Sequence, residues 1–274
     1  MQVTITDVAL PDVQAGEEDR GIAIEAVGVQ GLRYPITVRL PDGSEHPTYC
    51  EAELTVPLAA DTRGTHMSRF VEALHAHRSR ISPDGVLALT RDVSERLGGA
   101  GATVELRFPL FVDRSAPVTE RPALLAVDCL LSAKVSDQSM TVTVGLRVPV
   151  TSLCPCSKEI SDYSAHSQRG YITVRAVDDG RASEGHGISP HDLLAVCDGA
   201  ASAPVYPLLK RSDERHVTMQ AYDRPAFVED LARDVAFALQ ADDRVSSFTV
   251  EVVNQESIHN HQAVARIAWQ RRAT

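Results

Sequence analysis

The chain of 274 residues is long enough to bury a large core as one large or two medium domains, and its 43% hydrophobic and 23% charged residues read as an ordinary soluble globular protein. It has no run of eighteen apolar residues, and the opening MQVTITDVALPDVQ lacks the regions of a signal peptide, so no membrane partner and a cytoplasmic location are expected. A net charge of −10 argues against nucleic-acid partners, and five cysteines in such a chain point to reduced thiols rather than a disulfide framework.

Residues 1–20 are polar and read as irregular. Strands follow at 33–40 and 48–57, separated by the turn signal Pro41-Asp42-Gly43. Met67, Phe70, Val71 and Leu74 recur at helical spacing and predict a helix over 66–78. A second helix over 83–97 stops at Gly98-Gly99, and strands follow at 102–110 and 122–133. The second half repeats this order. Val142, Val144, Leu146, Val148 and Val150 alternate strictly, as in a half-buried strand, and 170–177 forms the next. Ser189-Pro190 starts a helix that ends near Gly199, since serine caps and proline suits the first turn. Another helix covers 225–239, with Phe227, Val228, Leu231 and Val235 on one face; strands at 247–253 and 263–270 close the chain. Two tandem α+β modules are expected, 21–136 and 137–274, each an antiparallel sheet with helices layered on one side.

Chemistry concentrates in TSLCPCSKEISDYSAHSQRG, residues 151–170. Thiols, an imidazole, a carboxylate and two cations so close together are costly to bury unpaired, and suit a reactive or metal-binding site. Cys154-Pro155-Cys156 is not a zinc-finger spacing. Proline fixes a backbone angle, so the two sulfurs project differently: one suits a metal, the other a substrate. Two ordinary apolar cysteines after a strand would look the same. His166 suits a metal ligand or general base, or a hydrogen-bonded surface histidine. In Glu256-Ser257-Ile258-His259-Asn260-His261 the two histidines would share a face of extended chain and could move protons; the plain alternative is a polar hairpin loop. The run Lys210-Arg211-Ser212-Asp213-Glu214-Arg215 reads as solvated, and Glu229 points away from the apolar face of its helix. Arg63 and Arg69 flank a helix start and offer an anion site, although capping explains Thr65 equally well.

Together, Pro11-Asp12-Val13-Gln14, RGTHMSRF (63–70), SLCPCSKEIS (152–161), AHSQR (165–169), LLKR with Asp213-Glu214, FVED (227–230) and ESIHNH (256–261) closely resemble the prokaryotic type IB GTP cyclohydrolases, in order and over nearly the whole chain. The resemblance implies two tandem tunnelling-fold modules in each subunit and a homotetramer with active sites at subunit interfaces. It implies conversion of GTP and water to 7,8-dihydroneopterin triphosphate and formate, the first step toward tetrahydrofolate. It implies a divalent metal (zinc or manganese, with iron as a further option) and no organic cofactor. Carried over position by position, Cys154, His166 and Glu214 would hold the metal. Cys156 would face the substrate, Glu229 would anchor the guanine edge, and Glu256, His259 and His261 would handle protons. Lys158, Arg169, Lys210, Arg211, Arg63 and Arg69 form the pool of cations for the triphosphate. Two positions depart from the family pattern: Met219 stands where an acidic residue follows Val217-Thr218, and Gln255 where an aromatic precedes Glu256. The loop 178–189 is longer than usual. Competing readings are an NADPH-dependent 7-deazaguanine nitrile reductase of the same fold, a non-catalytic metal-binding scaffold, and a dithiol redox protein, the last disfavoured by the strain of a disulfide across one proline.

Overall fold

The computed structural model describes residues 12, 14, 16–178 and 187–272. The loop expected at 178–189 and the irregular N-terminal segment therefore lie largely outside the described residues. A hairpin opens the fold. Strand β1 (Ile24–Arg39) turns at Gly43, whose φ of 85° favours glycine, into β2 (Glu45–Leu58). β1 begins well before residue 33. Register shifts between Ile24 and Val27 and between Val29 and Leu32 break the alternation there and hide the strand in the sequence. Gly28 also interrupts the pattern: a Cβ on it would stand 1.9 Å from the Leu54 carbonyl oxygen, so only glycine lets β2 approach.

Helices α1 (Met67–His77) and α2 (Pro83–Arg96) follow as expected; the Ser82 hydroxyl accepts the Gly85 N–H and Pro83 occupies the first turn. β3 (Ala102–Asp113), β4 (Leu124–Val135) and β5 (Met140–Leu153) come next, and the Val142–Val150 alternation is buried throughout. Then come a short helix α3 (Pro155–Ile160), β6 (Ser167–Asp178), α4 (Pro190–Ala200) and the two-residue β7 (Ala203–Pro204). Helices α5 (Arg211–Asp223) and α6 (Val228–Ala241) precede β8 (Val245–Gln255) and β9 (Gln262–Gln270).

The strands form one antiparallel sheet in the order β1-β2-β3-β4-β5-β6-β8-β9, with β7 paired to β5. Pairing of β4 with β5 joins the two halves, and one apolar core runs beneath the helices of both. The α+β class, with an antiparallel sheet and helices on one side, is as the sequence predicts.

Two local expectations need correction. The run 210–215 is not simply solvated: it starts α5, and its Asp213 is fully buried. Phe227 does not join the apolar face of α6. It is the N-cap residue, with extended backbone, and stands 43% exposed, while Val228, Leu231, Ala232, Val235, Ala236 and Leu239 form the buried face. The helix begins after Phe227, so helical angles counted through it place it wrongly.

Candidate active site at one end of the sheet

Strand direction sorts the predicted residues into two groups. The end of β5 leads into Cys154, and β6 starts again just after His166. Val150 pairs with Gly170, and Gly170 with Asn254, so the Glu256–His261 turn between β8 and β9 opens at this same end. The Ala226 N–H donates to the Leu153 carbonyl at 3.0 Å and brings the start of α6, with Glu229 in its first turn, to the same place. Val217 of α5 packs with Ala165 and Leu153. Glu214 lies one turn earlier on that face of α5. Cys154, Cys156, His166, Glu214, Glu229, Glu256, His259 and His261 thus collect at one end of the sheet from four separate segments.

Arg63 and Arg69 do not. Leu54 on β2 stands level with Val104, Ala133 and Val142, so β2 ends where β5 begins. The loop carrying Arg63 lies at the opposite end of the sheet, roughly 40–50 Å along the strands from Cys154. There the Arg69 guanidinium donates to the Arg96 carbonyl at 2.9 Å, and Gln14 donates from Nε2 to the Thr65 carbonyl at 2.8 Å.

A closed set of local bonds shapes the thiol loop. Cys154 is the N-cap residue of α3 and Pro155 fills its first turn. The Ser157 N–H donates to Cys154 Sγ at 3.4 Å, and Ser157 Oγ donates to the Cys154 carbonyl at 3.1 Å. The His166 N–H donates to Ser157 Oγ at 3.2 Å, and the Cys154 N–H to the His166 carbonyl at 3.1 Å. Cys154 is half-buried, and Cys156, two residues on in the first turn of the helix, is exposed. The sulfurs therefore differ in access, as the intervening proline implies. The other three cysteines are core residues, and burial pushes the Cys50 thiol up to about 11 and those of Cys129 and Cys197 higher still.

His166 is half-buried, with Nδ1 at 2.8 Å from Gln168 Oε1 and 3.4 Å from Ser257 Oγ. The rings of His259 and His261 stack at 5.0 Å, so the pair keeps together although the chain there is bent rather than extended. Lys158 is committed within the subunit: its ammonium donates to the Tyr222 carbonyl at 2.6 Å and lies 4.1 Å over the Tyr222 ring, closing the end of α5 against α3. Arg169, Lys210 and Arg211 are exposed at this end.

Among the described residues, no three histidine, cysteine, aspartate or glutamate side chains stand close enough to hold a metal ion. Cys154 and His166 are bonded into one loop, while Glu214 is carried by a separate element, the exposed first turn of α5. The donor set of thiolate, imidazole and carboxylate fits a borderline-soft divalent ion, and His166 bonded through Nδ1 has Nε2 left to offer one.

Sequence reasoning missed Asp213. Its carboxylate accepts the N–H groups of Val118 and Thr119, both at 2.8 Å, the Thr119 hydroxyl at 2.7 Å and the Lys210 N–H at 2.9 Å. Desolvation pushes this carboxyl up, but the bonds from Thr119, Lys210 and Val118 outweigh it and hold it well below the usual carboxylate range. It ties the β3–β4 loop to the helix that carries Glu214. Only its position three residues after Lys210, as in a capping box, could have singled it out. Met219 is exposed on α5 and lines a cavity of about 540 Å³ with Val118, Arg215 and His216, apart from the thiols; Gln255 is exposed at the end of β8.

The family model for type I GTP cyclohydrolase FolE2 matches residues 10–265. A GTP cyclohydrolase FolE2 of Paraburkholderia phymatum is 42% identical over 265 residues, covering 96% of each chain. One from Dichelobacter nodosus is 40% identical over 267 residues, covering 97% of this chain and 100% of its own. Among solved structures, uricase from Arthrobacter globiformis overlays with a TM-score of 0.55 at 10% identity, over 98% of this chain and 97% of its own. A hyperthermostable mutant of Bacillus sp. TB-90 urate oxidase gives 0.52 at 8% identity, over 90% and 100%. At such identities the likeness concerns the fold alone, which is the tunnelling fold expected from the sequence.

Proposed function

Because the chain belongs to the type I GTP cyclohydrolase FolE2 family, we propose that the end of the sheet gathering Cys154, Cys156, His166, Glu214, Glu229 and the Glu256–His261 turn is its active site. The protein is a GTP cyclohydrolase: it converts GTP and water to 7,8-dihydroneopterin triphosphate and formate, the first step of tetrahydrofolate biosynthesis. This membership decides against the nitrile reductase, the scaffold and the redox protein.

The observation carrying the site assignment is that separate segments bring every residue of the predicted metal, guanine and proton-handling sets to one end of the sheet. Water must attack C8 of the purine, an unreactive position. Cys154, His166 and Glu214 would hold a divalent ion, zinc, manganese or iron, which supplies a bound water of lowered pKa. Glu229, exposed in the first turn of α6, accepts hydrogen bonds from guanine N1–H and the 2-amino group, a donor pattern adenine lacks. His259 and His261 with Glu256 deliver and remove protons, N7 being the site whose protonation helps the ring accept attack. Cys156, exposed beside Cys154, faces the purine. Arg169, Lys210 and Arg211 take the triphosphate, and Lys158 serves it by holding the end of α5.

The cations at the far end, Arg63 and Arg69, reach a triphosphate only from a neighbouring subunit. A homo-oligomer, a tetramer by the family resemblance, follows from this reading, and with it a cytoplasmic enzyme. No helix among the described residues is long and apolar enough to cross a membrane. The test is incubation with GTP, following formate and the pterin fluorescence that appears after oxidation. Chelation abolishes both signals, and manganese or zinc restores them. Full activity in rigorously metal-free protein, or activity that consumes NADPH, overturns the reading.

A further inference from the structure

Behind His166 a chain of buried polar side chains runs back into the sheet, and its protons can be placed by exclusion. Ser152 Oγ lies 3.0 Å from the Ala226 carbonyl oxygen. A carbonyl carries no proton, so the hydroxyl's single proton must lie between them. Ser152 then has only lone pairs for its other neighbours. Gln168 Nε2 at 3.4 Å and Asn254 Nδ2 at 3.0 Å accordingly turn their NH₂ groups toward it. With its NH₂ facing inward, Gln168 presents Oε1 outward, 2.8 Å from His166 Nδ1. This too is a carbonyl oxygen, so the proton sits on Nδ1. A neutral imidazole has one N–H, which leaves Nε2 as a bare lone pair. Ser257 Oγ, at 3.4 Å from Nδ1, is a hydroxyl and can accept the same proton.

We propose that Ser152, Gln168 and Asn254 are positioning residues that fix His166 as its Nδ1–H tautomer and so hold the Nε2 lone pair ready for a divalent metal. The proposal rests on the reading of His166 as a metal ligand. The arrangement is built into the sheet. Ser152 on β5 pairs directly with Gln168 on β6, and Asn254 on β8 with Gly170. Ser152, Gln168 and Asn254 are 0%, 8% and 2% exposed. Gly170 makes the room: a Cβ there would lie 2.5 Å from Asn254 Oδ1. That Oδ1 is buried without a hydrogen-bond partner, a cost that marks Asn254 as kept for the donor it gives Ser152. The direction of the whole chain is dictated by the acceptor-only carbonyl of Ala226, three residues before Glu229. The ligand histidine and the start of the guanine-side helix are thereby joined by one set of bonds.

The experiment is nitrogen NMR of ¹⁵N-histidine-labelled, metal-free full chain at about pH 8, where imidazole is neutral. The His166 signals are identified by their loss in His166→Gln. Wild type is expected to show a protonated Nδ1 and a bare Nε2. Gln168→Leu and Ser152→Ala are expected to populate both tautomers and to weaken zinc binding, measured by chelator competition, by about 10- to 100-fold. Ser152 does not touch the imidazole, so a change of tautomer in Ser152→Ala is passed on by the Gln168 amide, and the tautomer is the readout that a merely structural loss would not move. A wild-type spectrum with the proton on Nε2 overturns the proposal whether or not the variants fold. So do variants that keep the single tautomer and bind zinc within about twofold of wild type. If His166→Gln binds zinc as wild type does, the ligand assignment falls and takes the proposal with it. If it loses zinc while the wild-type spectrum shows Nε2–H, the relay alone falls.

Discussion

Two thiols separated by one proline sit in different surroundings, and that difference predicts different losses. Cys154, half-buried with an N–H on its sulfur, belongs to the loop bonded to His166; Cys156 is exposed. Cys154→Ala is expected to lose metal occupancy. Cys156→Ala is expected to keep the metal and lose turnover. Equal metal loss in both would instead indicate a two-thiolate site, and metal analysis beside GTP turnover decides. Glu229→Gln keeps the size of the side chain but sets a donor against guanine N1–H or the 2-amino group. Turnover should fall by roughly thirty- to a thousand-fold with metal content unchanged. A change within about threefold, or loss of the metal, would show that this residue is misplaced. At this scale the sequence was readable where residue type and spacing carry the chemistry, as in Cys-Pro-Cys or His-Asn-His. It was unreadable where a role is set by partners far along the chain. Nothing near Ser152 announces that its proton is committed to Ala226, seventy-four positions away.

Elements whose apolar pattern faces one core were legible, and elements held by polar bonds were not. The Val142–Val150 strand, the helical spacing of α1 and the part of the α6 face after Phe227 follow from periodicity, because burial on one side imposes it. Helix α5 escaped notice because only Asp213 and Ala221 on it are buried, so no apolar stripe marks it. Its N-terminus is held by a carboxylate. The first stretch of β1 escaped because its register shifts interrupt the alternation. Asp213 gives α5 a pH signature. Its folded pKa lies below that of an unfolded aspartate, so its contribution to stability is fully present above the unfolded value and is lost as pH falls toward the folded one. Asp213→Asn is therefore expected to lower the thermal midpoint most above about pH 5, with the gap to wild type narrowing in more acid solution. A gap independent of pH would mean that the carboxylate charge does not serve the fold.

On the scale of the whole molecule, the decisive fact is that Arg63 stands at the opposite end of the sheet from the thiols. If it serves a neighbour's triphosphate, Arg63→Ala and Cys156→Ala subunits are each defective alone but complement when dissociated together and reassembled. Random mixing should restore about a quarter of wild-type activity, since a site needs an intact contribution from each of two subunits. No recovery, or an active monomer in light scattering at assay concentration, would place the complete site within one chain. On that condition the substrate would be a participant in quaternary structure. A nucleotide held by one subunit at its base and in part by a neighbour's Arg63 at its phosphates would bind the assembled form more tightly than the lone chain, so by mass action it would also help to hold that form together. GTP would then act as a cross-link as well as a reactant: dilution would cost activity first where nucleotide is scarce, and a well-supplied enzyme would resist falling apart.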